Sequence, residues 1–246
     1  MKVVLINGQN HKGSTYHIGR ILAERLADVE AIKEIFLPRD LNHFCLGCYS
    51  CIQDEKKCPY FEEKKGIEEM MLEADVLIFT TPTYCMEMSA PLKSYFDLFY
   101  QYWIPHRPRE YMFHKKAVVI STAAGAGTRS AIKSVIRNLT WWGVPFCMKY
   151  GISVGASKWD EVSERNKTKI EKDMDKLSRR LKKAKAGKPS LMIRFMFGLM
   201  AKAKKSSVEG AYDANEAAYW REKGWLDGKK PWNCIAGMTD ESKSPS

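Results

Sequence analysis

Residues 3–20 read VVLINGQNHKGSTYHIGR. Val3–Asn7 is an almost unbroken apolar run, the pattern of a strand covered on both faces, as in a parallel sheet. The segment from Gly8 to Gly13 is polar, and its glycines permit tight backbone paths. Ser14 or Thr15 can cap the helix that follows. Ile18, Leu22, Leu26 and Val29 recur at spacings of four, four and three, the buried face of a helix over about 15–28. Arg20, Glu24, Arg25 and Asp28 fall on its solvent side. A buried strand, a glycine-bearing loop and an amphipathic helix make the first unit of an α/β fold.

The same unit repeats along the chain. Apolar runs at Ile32–Leu37, Asp75–Thr81, Ala117–Ser121 and Phe146–Ser153 alternate with helical stretches at about 62–73, 89–102, 128–141 and 159–186. This alternation predicts a three-layer, doubly wound sandwich with one parallel five-stranded sheet of order 2-1-3-4-5. The expected strands are 2–7, 31–37, 75–81, 116–121 and 146–154. Right-handed crossovers place the loops after the strands along one edge, where open α/β sheets bind ligands. GKPS at 187–190 is a break, so residues 1–186 are read as the main domain. Residues 187–246 are read as a helical C-terminal extension, a lid or an oligomer contact, with a disordered tail.

The chain has 246 residues and 28.2 kDa, with 45% apolar and 28% charged side chains, which is globular composition. Its net charge of +11 is local: residues 165–205 hold 15 basic and 3 acidic side chains, +12 in all, so the rest sums to −1. Seven cysteines is an odd number in a chain too large to need staples. Met1 is followed almost directly by the first strand, which leaves no secretory leader, and no apolar run is long enough to span a membrane. The expected compartment is the reducing cytoplasm, with the cysteines as thiols or metal ligands.

Three loops at the ligand edge carry candidate residues. In the first, backbone N–H groups of Asn10–Thr15, the hydroxyls of Ser14 and Thr15 and the helix N-terminus suit an anion, with His11 or Lys12 at the rim. Neither nucleotide fingerprint is present, so a one-phosphate cofactor fits better than a dinucleotide. The second loop belongs to TTPTYCMEMSAPLKSYFDLFY, residues 80–100. There Pro82 restricts the turn, and Tyr84 offers a flat apolar surface with a polar tip. Lys93 and Asp97 stand at i and i+4, the spacing of a helical ion pair. The third loop, Ala123–Gly127, is small enough to let backbone approach a planar ligand; Thr128 or Ser130 can cap the helix after it.

In Thr81, Pro82, Tyr84, Met88, Ser89, Leu92, Lys93, Phe96 and Asp97 the chain resembles the NAD(P)H-dependent FMN reductase family of the flavodoxin-like superfamily, close to the iron-sulfur flavoproteins. The resemblance covers about residues 1–155. It implies FMN as cofactor, with phosphate held by Gln9, Asn10, His11, Lys12, Gly13, Ser14 and Thr15. It implies an isoalloxazine ring beside Pro82, Thr83, Tyr84, Cys85 and Met86, flanked by Ala123, Ala124, Gly125 and Gly127. NAD(P)H is the implied co-substrate. Leu98 stands where the family usually has Arg, which weakens any Arg-dependent dimer contact.

HFCLGCYSCIQDEKKCPYF places Cys45, Cys48, Cys51 and Cys58 at spacings of three, three and seven. Thiols at this density suit a 4Fe-4S cluster or zinc. The iron-sulfur flavoproteins carry a similar spacing, whereas cluster-free relatives keep a similar segment as a thiol loop. The metal-free state is the expectation here; a cluster, if present, takes these four as ligands. Cys147 and Cys234 are expected to be non-ligands.

Ile170, Met174, Leu177 and Leu181 repeat at four, three and four, an amphipathic helix with a Lys/Arg face. It reads as the last sheet-covering helix, ahead of a membrane-surface or nucleic-acid role. No nucleic-acid partner and no integral membrane segment are expected. The aromatic run FDLFYQYW, 96–103, carries more large faces than one side of a helix can bury, which predicts an interface and a homodimer or higher even oligomer. Neither a Ser–His–Asp set nor an HExxH motif is present. The sequence therefore predicts an FMN-dependent oxidoreductase that passes electrons from NAD(P)H to a second, unidentified acceptor, with no acid or base catalyst required. The alternatives are an iron-sulfur/FMN electron-transfer flavoprotein fed by a protein donor, and a flavin-binding redox-responsive protein without turnover.

Overall fold

Val3, Leu5, Val76, Ile78, Val118 and Ile120 face one side of the sheet, and Val4, Ile6, Leu77, Phe79, Ala117 and Val119 face the other. Period-two alternation of an all-apolar strand makes both faces a core. The computed structural model describes residues 1–233. In chain order its elements are β1 (Val3–Asn7), α1 (Ser14–Leu26), β2 (Ile32–Phe36), α2 (Ser50–Gln53), α3 (Phe61–Glu73), β3 (Val76–Pro82) and α4 (Ala90–Leu98). They continue with β4 (Lys116–Ala123), α5 (Thr128–Trp141), β5 (Phe146–Ser153), α6 (Glu164–Lys183), α7 (Leu191–Lys205) and α8 (Ala214–Glu222).

The five strands are parallel and ordered β2-β1-β3-β4-β5, the flavodoxin-like arrangement expected. Side chains of α1 and α6 cover one face: Ile18, Leu22 and Leu26 meet Ile170, Met174, Leu177 and Leu181 over β1, β3 and β4. Each such side chain stabilises the fold by about 1.5–3 kcal/mol relative to exposure. Arg25 clamps the two helices by pairing with Asp175 at 2.5 Å and with Glu171. The basic amphipathic helix is thus the last covering helix. The other face is closed by α3, α4 and α5.

Some local expectations change. Val29 is not part of α1 but stands exposed in a single 3-10 turn after it. The α4 helix stops at Leu98 and winds on as a 3-10 turn through Tyr100–Tyr102. That change of pitch redistributes the aromatic run: Phe96, Phe99 and Tyr102 all turn inward around Trp142. Much of the run is thus absorbed by its own core, with Tyr100 and Trp103 left half-buried. The extension does pack. Ile193 and Phe197 of α7 and Trp220 of α8 join Trp225 and Trp232 against Ile104 and Phe113. Cys234 and the expected disordered tail lie outside the described residues.

Candidate functional site

The loops after β1, β3 and β4 leave the carboxyl ends of the three central strands together. Gly8 N–H donates to Thr80 O at 2.7 Å, and Ser89 Oγ donates to Gly8 O at 2.6 Å. A Cβ on Gly8 would sit 2.7 Å from both of those oxygens, so this position needs glycine for close approach. Gly13 is the N-cap of α1, and no side chain caps the helix. Neither expected cap acts as one. Thr15 Oγ1 instead meets Thr122 Oγ1 at 2.6 Å, tying the first loop to the end of β4. Ser14 Oγ is buried with no hydrogen-bond partner. A buried hydroxyl left unpaired costs about 1–3 kcal/mol, and this one lies at a helix N-terminus, a place suited to an anion. Gln9 is half-buried, and Asn10, His11 and Lys12 are exposed at the rim. His17, stacked on Trp159 at 5.0 Å, has its imidazole pKa lowered by burial.

The second loop is a tight hairpin. Tyr84 and Glu87 exchange both backbone hydrogen bonds, at 3.0 and 2.9 Å. Between them Cys85 (φ 49°) and Met86 (φ 65°) are both left-handed. That is the backbone of a primed turn, which usually takes Asn-Gly; two side-chain-bearing residues there store strain, a feature concentrated at ligand sites. Tyr84 is 46% exposed and Met86 58%, so neither is a core residue. Thr83 holds the hairpin to β4, its N–H donating to Thr122 O at 2.8 Å and its hydroxyl sharing a 2.9 Å bond with Ser121 Oγ. In the third loop Ala123 is buried and Ala124 and Gly125 are exposed. Gly127 (φ 101°) is the N-cap of α5; a Cβ there would meet Thr83 Cγ2 at 2.7 Å and Met86 Sδ at 2.8 Å. Neither Thr128 nor Ser130 caps α5; Ser130 Oγ donates to Glu87 at 3.3 Å. Residues 9–15, 82–86 and 123–127 therefore share one edge, linked by threonine and glycine contacts.

The cysteine segment follows β2 on the same side. Cys45, Cys48, Cys51 and Cys58 all line one cavity of about 330 Å³, walled by Tyr60, Leu98 and Tyr100. Cys45 and Cys48 are exposed and Cys51 is buried. The Ser50 hydroxyl and backbone N–H hold the Cys48 thiol below its ordinary pKa, whereas burial pushes Cys51 up against the opposing pull of Lys64. Cys147 lies elsewhere, on β5, and burial alone raises it to about 12. Among the described residues, no group of three or more His, Cys, Asp or Glu side chains is placed to hold a metal ion.

Three cations that the sequence reading missed hold this segment. Arg107 donates to the carbonyls of Cys51 at 3.0 Å, Ile52 at 2.7 Å and Gln53 at 3.1 Å, at the carboxyl end of α2. Arg109 is buried between Glu68, at 2.5 Å, and Glu55, with its guanidinium over the Tyr102 ring. Lys64 is buried with its ammonium 3.8 Å from Cys58 Sγ. Lys64 is on α3, whereas Arg107 and Arg109 lie in the irregular segment between α4 and β4, and only the tertiary fold turns them inward.

The model of the NADPH-dependent FMN reductase family matches residues 1–157, well over half of the chain. The chain belongs to the NADPH-dependent FMN reductase family. Among its relatives, the iron-sulfur flavoprotein of Archaeoglobus fulgidus is 29% identical over 98 residues, covering 39% of this chain and 48% of that protein. The iron-sulfur flavoprotein MJ1083 of Methanocaldococcus jannaschii is 35% identical over 101 residues, covering 39% and 51%. The chain thus matches only about half the length of these curated relatives. The solved NAD(P)H:quinone oxidoreductase of Methanothermobacter marburgensis has a TM-score of 0.56 at 17% identity, covering 75% of this chain and 98% of that one. At that identity the likeness is one of fold. In this member of the FMN reductase family the three-loop edge lies within the matched segment, and α6, α7 and α8 lie beyond it.

Proposed function

We propose that the protein is an FMN-dependent oxidoreductase that passes electrons from NAD(P)H to a second acceptor. The observation that carries this is the buried, unpartnered Ser14 Oγ at the N-terminus of α1, beside the two other loops of the same edge. A phosphate fits there: Gln9–Thr15 supply backbone N–H groups, the Ser14 and Thr15 hydroxyls and the rim charge of Lys12, with His11 beside it. The ring site is Pro82–Met86 on one side and Ala123, Ala124, Gly125 and Gly127 on the other. FMN, when bound there, would supply the redox chemistry between a nicotinamide and the acceptor. The chain's part is to bind and orient. Tyr84 and Met86 give an apolar surface that excludes water, the strained hairpin fixes its height, and Gly127 lets the third loop close against it. No side chain of the edge need act as acid or base.

Titration with FMN, followed by flavin fluorescence, is the test. One FMN per chain at micromolar concentration, and NAD(P)H oxidation that depends on an added acceptor, are expected. Absence of flavin binding overturns the reading. Operation in the reducing cytoplasm belongs to the same proposal, as does self-association through residues 84–110, where Tyr84 and Met86 are exposed, which sedimentation velocity checks. Among the described residues no helix is long and apolar enough to cross a membrane.

In this reading the four cysteines are metal-free thiols. One observation favours a second reading: all four line a single cavity, and a 4Fe-4S cluster needs four thiolates around one volume, one to each iron. Cys45, Cys48, Cys51 and Cys58 would then hold the cluster, which would supply one-electron transfer beside the flavin. Anaerobic purification with iron and sulfide analysis separates the two. Negligible iron supports free thiols, and about four iron and four sulfide per chain support the cluster.

A further inference from the structure

The α7 helix has two apolar faces, and only one is used. Ile193 and Phe197 are buried in the aromatic cluster of the extension. At about 100° per residue, Leu191, Met192, Phe195 and Leu199 fall on a second stripe, roughly opposite the first. They are exposed: Leu191 is 77% and Phe195 70% accessible. Arg194, Lys202 and Lys205 are also exposed and lie within or beside this stripe. None of the three takes part in an ion pair among the described residues, whereas Lys204, on the inner face, is buried against Glu216 at 2.8 Å. Upstream, Lys182, Lys183, Lys185 and Lys188 are exposed on the end of α6 and the strap to α7. From residue 176 to residue 208 the sequence contains no Asp or Glu.

We propose that α7 is an interfacial helix that seats the protein on an anionic lipid surface. Leu191, Met192, Phe195 and Leu199 enter the headgroup–acyl boundary, and the surrounding lysines and Arg194 pair with lipid phosphates. The combination of a long-side-chain apolar stripe, a basic border and an acid-free segment matches what such a surface selects. A second copy of the chain is the poorer occupant. A two-fold contact through this stripe would bring Arg194, Lys202 and Lys205 of both copies together with no acidic residue of the segment to answer them. The stripe is a convex ridge of flexible side chains rather than a groove, which suits a fluid boundary better than a shaped partner. Docking would bring the enzyme to acceptors dissolved in the bilayer, although the docking itself does not depend on flavin.

The test is co-flotation of the full chain with vesicles of neutral phosphatidylcholine, and with vesicles carrying about a third phosphatidylglycerol. Binding is expected to rise about tenfold or more with the anionic lipid and to fall as salt is raised. Two variants divide the contributions: Phe195→Ser with Leu199→Ser removes the stripe, and Arg194→Gln with Lys202→Gln and Lys205→Gln removes the border. Each is expected to weaken flotation about tenfold while leaving circular dichroism and FMN content unchanged. No preference for anionic vesicles, or flotation indifferent to both variants, overturns the proposal. So does a wild-type dimer that becomes monomeric in the serine variant without any vesicle binding, since the stripe would then be a contact between copies.

Discussion

Ser14 places a hydroxyl where the fold provides nothing for it to bond, so its substitution reads the ligand more than the fold. Ser14→Ala is expected to weaken FMN binding only about three- to tenfold, because backbone donors carry much of a phosphate site. Ser14→Leu fills the space and is expected to cost a further tenfold or more; equal losses in fluorescence titration would contradict a phosphate at this point. Lys115 offers a second residue-level test. It is buried, with its ammonium donating to Leu72 O at 2.6 Å and to Ala74 O, and burial pushes its pKa down to about 8 from 10.5. Between those values the unfolded chain binds more protons, so this lysine makes stability rise with pH there, and its burial cost is fully present below about 8. The stability of wild type minus that of Lys115→Met, from urea unfolding, is expected to rise by about 1–3 kcal/mol across the window; a flat difference refutes it. At this scale the sequence is partly legible. Gly8 stands where the Thr80 carbonyl leaves no room for a Cβ, and Gly127 takes a positive φ hard against the Thr83 and Met86 side chains. Cys85 and Met86, by contrast, give no sign of a left-handed turn, because that turn is normally written with Asn and Gly.

At the scale of elements, the short α2 helix is held from outside by Arg107. Arg107→Met leaves three carbonyls without their cationic donor. It is expected to cost about 2–4 kcal/mol in urea unfolding and to raise the alkylation rate of buried Cys51 several-fold by mass spectrometry. Unchanged Cys51 protection would mean the segment holds itself. The strands and covering helices were readable because an all-apolar run and a four-four-three spacing each have one stable solution. The end of α4 was not, because the shift to a 3-10 turn answers Trp142, a residue about forty positions later. The Lys93–Asp97 pair, at 2.5 Å, needed only helical spacing and was legible. The inward turn of Phe96, Phe99 and Tyr102 was hidden for the same tertiary reason: surplus aromatic surface met a core large enough to take most of it.

Across the whole molecule, Glu216 joins the extension to the main body. Its carboxylate meets His106 Nδ1 at 3.0 Å and Lys204 Nζ at 2.8 Å. Burial alone would raise its pKa, but the bonds from His106 and Lys204 outweigh burial and hold it below the ordinary 4.5. Its contribution is therefore present above about 4.5 and lost as pH falls through the lower folded value. Glu216→Gln is expected to cost about 2–4 kcal/mol at neutral pH by leaving buried Lys204 with only the longer pair to Asp213, at 3.9 Å, with earlier loosening of the Trp220–Trp225 cluster by tryptophan fluorescence. An unchanged thermal transition would place the hold elsewhere. The placement of α6 has a consequence for how the chain is made. Its Ile170, Met174, Leu177 and Leu181 complete the layer over β1, β3 and β4, yet they are synthesised after every strand. When residue 157 leaves the ribosome, the whole sheet is available and one of its faces is only half clad. At cellular elongation rates the nascent chain waits roughly 1–5 s for the missing helix. During that interval, holding chaperones have an apolar target that the finished protein no longer displays.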